Sequence, residues 1–244
     1  MKSLLAAISF LTRFPAGRWV SVDAKEVARS AGWFPLVGLL VGAVCGLTAW
    51  LLRGHLPFAM VAIILVVLDA VLTGALHFDG LADAADGFGG GRDREDILRI
   101  MRDHAIGSYG GTALILLIAW KLIAYGAILQ SEHWLAAIII TPALGRWSIL
   151  LLTATLPYAR PTASVVTHVG KSSLIWGTLI VGGALAAARL WRVWAACAFV
   201  VFVSAAFGIY CHRRIGGITG DTLGANLELC EGAALLAFLW GGNP

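Results

Sequence analysis

Seven of the chain's fourteen carboxylates fall between Asp79 and Asp103. The run His77-Phe78-Asp79-Gly80-Leu81-Ala82-Asp83-Ala84-Ala85-Asp86-Gly87 places Asp79, Asp83 and Asp86 at i, i+4 and i+7. On a helix these three lie within about 60° of one another. Stacked carboxylates repel, and no Lys or Arg is interleaved with them. A solvated acidic loop would normally carry such partners. The simplest missing partner is a divalent cation, and hard oxygen donors without a nearby Cys favour Mg²⁺ or Mn²⁺ over Zn²⁺. Small residues between the acids leave room for a phosphate–metal complex. The run Gly87-Phe88-Gly89-Gly90-Gly91-Arg92 follows. Its backbone N–H groups could cradle an anion, and Arg92 could fork onto phosphate. Arg99, Arg102 and Asp103 come next, then His104. Carboxylates, glycines and arginines in this order suit metal-assisted phosphoryl transfer, with an aspartate taking the proton from an attacking hydroxyl.

A second polar set closes the chain. Gly216-Gly217-Ile218-Thr219-Gly220-Asp221 reads as a tight turn into a helix capped by Thr219 or Asp221. Asp221 and Glu228 share a helical face, and Asn226, Glu228 and Glu231 enter an apolar segment where acids are otherwise absent. They are candidates for a further metal ligand or a substrate contact. Asp69, Lys121 and Arg146 lie inside apolar spans, where an ionisable residue is costly and needs a partner or a function. His77 and His104 flank the acids and are weighed as substrate contacts; His168 and His212 read as interfacial. Cys45, Cys197, Cys211 and Cys230 form no CxxC pair and read as packing residues.

These groups need a scaffold, and composition says which kind. The 244 residues are 59% hydrophobic and 13% charged, with a mean hydropathy of +0.84. A soluble domain carries roughly 25% charged residues. The class is therefore an all-α, polytopic membrane bundle. No basic stripe interleaved with aromatics points to nucleic acid. The run Leu4–Leu11, interrupted by Thr12-Arg13-Phe14-Pro15, reads as a retained interfacial segment rather than a signal peptide. Seven spans are expected: Ala31–Leu52, Phe58–Leu76, Gly111–Leu129, Trp134–Leu156, Ser173–Ala188, Val193–Tyr210, and a short Gly232–Trp240 that could begin near Asn226 or be re-entrant. With the N-terminus cytoplasmic, thirteen Lys and Arg fall inside and three (Arg53, Arg189 and Arg192) outside. The positive-inside rule supports this orientation. It gathers the unusual polar loops, including 77–110 and 212–228, on one cytoplasmic face. The whole of 1–244 is expected to be a single membrane-embedded catalytic domain. No two-fold repeat of the transporter kind is evident.

Two known patterns bear on these motifs. Asp83-x-x-Asp86-Gly87 matches the opening of the CDP-alcohol phosphotransferase pattern, but Arg92 falls out of register and the second half is missing. A fuller match comes from Phe10-Leu11-Thr12-Arg13-Phe14-Pro15, Phe34-Pro35-Leu36-Val37-Gly38, the His77–Gly87 run, the Arg92 loop, Ile100-Met101-Arg102-Asp103-His104-Ala105-Ile106-Gly107-Ser108-Tyr109-Gly110, and Gly216–Ala225. In these stretches, which run along the whole chain, it resembles the adenosylcobinamide-GDP ribazoletransferase (cobalamin synthase) family. The resemblance implies a multi-pass enzyme of the prokaryotic cytoplasmic (inner) membrane. It would join adenosylcobinamide-GDP to α-ribazole or α-ribazole 5′-phosphate with Mg²⁺ and release GMP. The residues read above then take roles: Asp79, Asp83 and Asp86 as metal ligands and, with Asp103, the catalytic set; Arg13, His77, Arg92, Arg102, His104, Asp221, Asn226 and Glu228 as substrate contacts. Small-molecule substrates and membrane lipid are the expected partners, with a homo-oligomer left open. The alternatives are a CDP-alcohol-type phosphotransferase and a divalent-cation transporter, which would set its acids at the midplane.

Overall fold

Within a bilayer every backbone N–H and C=O must be satisfied inside the segment, which leaves the helix as the spanning form for these apolar runs. The structure is a computed structural model and describes residues 2–16, 23–103, 105–160, 169–188 and 191–240. His104, His168, Arg18 and Arg189 lie outside the described residues. Two short helices come first, α1 (Lys2–Leu11) and α2 (Ala24–Ser30). Then follow α3 (Phe34–Leu52), α4 (Phe58–Thr73), α5 (Leu76–Gly90), α6 (Arg94–Ile100), α7 (Ser108–Ile128), α8 (Trp134–Thr155), α9 (Lys171–Ala188), α10 (Trp191–Ile215) and α11 (Gly220–Leu239). No strand occurs among the described residues; an isolated bridge joins Tyr158 to Ile218. Among them six helices are long and apolar enough to cross a membrane, or seven if the bent pair α4–α5 counts as one span.

That pair is the first departure from the expected spans. Rather than running on to Leu76, α4 stops at Thr73 and α5 leaves at 90°. The corner is made by two residues in left-handed backbone, Gly74 (φ 66°) and Ala75 (φ 58°). Glycine adopts this conformation freely, whereas Ala75 holds it at a cost of about 1–2 kcal/mol. Arg13 closes over the corner: its N–H donates to the Leu72 carbonyl (2.7 Å), and its side chain lies where a Cβ on Gly74 would be. The acids expected in a loop at 77–110 therefore sit largely on helix, over Leu76–Gly90 and Arg94–Ile100.

The second departure is the last segment. Neither short nor re-entrant, it is a 20-residue helix starting at Gly220. Thr219 and Thr222 form a reciprocal capping box, with Thr222 N–H donating to Thr219 Oγ1 (3.2 Å) and Thr219 N–H to Thr222 Oγ1 (2.8 Å). Its polar residues lowered the apparent hydrophobic length. They are buried against other helices, which makes α11 the most enclosed element, packed on α5, α7, α8 and α10.

Close helix contact rests on small residues, as membrane packing requires. Gly38, Gly42 and Gly46 recur every fourth position on α3; at Gly38 a Cβ would come within 2.6 Å of the Ala143 backbone on α8. At the α5–α11 crossing, a Cβ on Gly80 would lie 2.9 Å from the Asp221 carbonyl oxygen. This contact brings the α5 acids beside the start of α11.

Candidate active site

A cavity of about 270 Å³ opens where α5 crosses α11. Phe10, Phe34 and Tyr158 contribute to its apolar wall, and Asp79, Asp221 and His77 are among its polar residues. Phe10 and Phe34 stack with ring centroids 5.9 Å apart. Asp79 is exposed and, among the described residues, its carboxylate makes no hydrogen bond or ion pair. Asp221, one face of α11 away, accepts from Arg160 Nη2 (2.9 Å) and from Thr219 Oγ1 (3.3 Å). His77 is buried, and its Nε2 has no partner. An unpartnered carboxylate beside a second one, on the wall of one cavity, is a fitting place for a hard cation.

The three motif aspartates do share a helix, but they do different things. Exposure falls along α5 from Asp79 through half-buried Asp83 to buried Asp86. Both Asp86 oxygens are taken by the start of α7: Gly107 N–H donates to Oδ2 (2.7 Å) and Gly110 N–H to Oδ1 (2.8 Å). Asp86 thus satisfies free N–H groups of a helix start and complements its dipole. The expected phosphate-cradling glycine loop is also revised. Gly87 and Gly91 lie against Met101 and Ile97, and Gly89 lies under the Tyr109 ring. The missing side chains let α6 and α7 close on the end of α5.

The other expected contacts divide between the surface and the bundle interior. Arg92, Arg102 and Asp103 are exposed. The Arg92 N–H donates to Asp96 Oδ2 (3.3 Å), and Asp103 Oδ1 accepts from Ala105 N–H (3.2 Å). Arg13 belongs to the α4–α5 corner rather than to the cavity lining. Asn226 and Glu228 are not brought to the cavity either. Both are buried inside the bundle: Asn226 Nδ2 donates to Ser148 Oγ (2.9 Å) and Ser204 Oγ (3.2 Å).

Glu228 joins a buried ionic lattice. Lys121 Nζ lies 2.6 Å from Glu228, 2.9 Å from Glu231 and 3.3 Å from Asp69. Arg146 pairs with Glu231 and lies 3.8 Å from Asp69. Four helices contribute, α7, α8 and α11 from near the middle of their length and α4 from its last third. Among the described residues, Asp69, Glu228 and Glu231 are the carboxylate group close enough to hold one metal ion. The Lys121 ammonium already reaches all three acids, so this set carries its own cation. Midplane acids are what a cation transporter would show, and here Lys121 and Arg146 are already paired with them.

Two arginines at the site were not singled out by their sequence context. Arg160 is the partner of Asp221, and Arg94 ties α6 down by donating to Ile215 O (2.8 Å) and Ala159 O (2.6 Å). Nothing local marks them; their partners lie 61 to 121 residues away.

Fold and site together define a polytopic helical membrane protein with a charged cavity at one end of its bundle. Comparison with known sequences narrows this class. The cobalamin-5-phosphate synthase family model matches residues 3–239, and the chain belongs to that family. It is a transferase. Relatives named adenosylcobinamide-GDP ribazoletransferase include one from Klebsiella pneumoniae, 39% identical over 98% of this chain and 100% of the relative. One from Syntrophobacter fumaroxidans is 37% identical, covering 92% and 93%. Another from Shewanella frigidimarina is 35% identical, covering 96% and 92%. No solved structure matches.

Proposed function

We propose that this chain joins adenosylcobinamide-GDP to α-ribazole or its 5′-phosphate, giving adenosylcobalamin or its 5′-phosphate and GMP. The observation that carries the reading is the unpartnered Asp79 sharing a cavity with Asp221 in a chain of this family. In the reaction a ribose hydroxyl of the acceptor attacks the cobinamide-linked phosphorus. The new P–O bond forms as the bond to the GMP phosphate breaks, and the hydroxyl proton passes to a carboxylate. Asp79 is the acid placed to hold that hydroxyl or a metal ion, and Asp83 lies one turn further along α5. Mg²⁺ bound by Asp79 and Asp83 would neutralise charge on the diphosphate. Asp86 holds α7 in place, Asp221 orients a substrate hydroxyl, and Arg92 faces the diphosphate. The apolar wall excludes water and suits the flat base of the acceptor. The site faces the cytoplasm of a prokaryotic cell, from the cytoplasmic membrane, consistent with the excess of Lys and Arg on that side.

The test is an assay of detergent-purified protein with adenosylcobinamide-GDP, α-ribazole 5′-phosphate and Mg²⁺. Stoichiometric GMP and corrinoid product, abolished by EDTA, is the expected result. Absence of both from folded protein across several lipids and divalent metals would overturn the reading.

A further inference from the structure

A second concavity, of about 370 Å³, lies beside the cavity between α6 and the 157–160 turn. Four guanidinium side chains, Arg94, Arg99, Arg102 and Arg160, line it against a single acid, Glu95. The two carbonyls that hold Arg94 take two of its five N–H groups without cancelling its charge. Arg99 pairs with Asp96, whose carboxyl is held below the usual carboxylate range by that bond and by the Arg92 N–H. Among the described residues Arg102 has no ion pair. Arg160 gives Nη2 to Asp221, while its Nε is out of contact with water and, among the described residues, has no partner. Cations on the cytoplasmic side of a membrane protein are ordinary. Their convergence on one concavity, with a buried N–H left unsatisfied, is not.

The Arg160–Asp221 pair is the wall shared by this concavity and the cavity that holds Asp79. We infer that the arginine-lined concavity binds the 5′-phosphate of the acceptor nucleotide, a phosphate monoester, while the sugar of the same molecule reaches the carboxylates beyond the pair. This rests on the proposed function. A planar fork suits phosphate oxygens, and such charge-assisted bonds are the strong ones. The arrangement makes the phosphorylated acceptor the better substrate.

The test uses the full chain in phosphatidylcholine nanodiscs, comparing α-ribazole 5′-phosphate with α-ribazole as acceptor. In Arg102→Ala and in Arg99→Ala, the ratio of kcat/KM for the phosphorylated over the unphosphorylated acceptor should fall about tenfold or more. The loss should fall on the acceptor's KM, and Arg102→Lys should restore part of it. Equal losses on both acceptors would overturn the inference. So would a KM rise confined to adenosylcobinamide-GDP, which would make the concavity a donor site. An effect seen only with phosphatidylglycerol present would make it a lipid-headgroup site instead. If the wild type turns over neither acceptor, the proposed function fails by itself. Calorimetric binding of α-ribazole 5′-phosphate then decides the inference: weakening in Arg102→Ala supports it, and unchanged affinity overturns it.

Discussion

Asp79 and Asp86 stand seven residues apart on one helix and do opposite work. Asp79 faces a cavity with no pairing partner among the described residues, whereas Asp86 spends both oxygens on the backbone of α7. Asp79→Asn should reduce turnover at least a hundredfold while leaving thermal melting of the purified protein unchanged. Asp86→Ala should lower stability by about 3 kcal/mol, because two charge-assisted hydrogen bonds are lost. Its activity loss should then track the fraction unfolded across a melting curve. If both variants lose activity at unchanged stability, the structural role of Asp86 is wrong. At the α4–α5 corner, Ala75 already holds a left-handed backbone. Ala75→Gly should raise the melting temperature or leave it unchanged, and a fall would contradict the corner geometry.

Between helices, a buried lattice joins Lys121 and Arg146 to Asp69, Glu228 and Glu231. Removing one partner of a buried pair leaves a charge without compensation and costs about 3–5 kcal/mol. Lys121→Met should cost that much in a thermal or SDS unfolding assay. The double variant Lys121→Met, Glu228→Met should recover part of the loss, since it removes one of the stranded acids. A double variant worse than Lys121→Met alone would show that Glu228 does something other than balance Lys121. The α3–α8 contact predicts the opposite sensitivity. There, Gly42→Leu would force backbones apart and should destabilise the protein although the substitution adds apolar surface.

For the molecule as a whole, the helix path puts the α3–α4 turn and the α5–α7 segment at opposite ends of the bundle, joined by α4. A single Cys in place of His55 should react with an impermeant thiol reagent from outside the cell, and one in place of Arg99 only after the membrane is opened. The reverse pattern would place the site on the outer face. Chelation is the second whole-molecule test: EDTA should abolish turnover with little change in melting temperature, because Lys121 and Arg146 already pair with the buried carboxylate triad.

The class of protein was legible in composition, since too few charged residues exist to cover a soluble globule, and helices are what a bilayer permits. The spacing of Asp79, Asp83 and Asp86 likewise foretold one helical face, and the linear motifs foretold the family. What each acid does was not legible, because partners are chosen by packing across long separations. Lys121 meets Glu231 across 110 residues, which ties Glu228 and Glu231 into a buried lattice away from the cavity. Arg160 meets Asp221 across 61 residues, which turns an unremarkable loop cation into a wall of the site. The last helix shows the same limit: its polar residues shorten the apolar run read from sequence. In the folded bundle they are paired and buried, so the helix crosses at full length and stands at the centre.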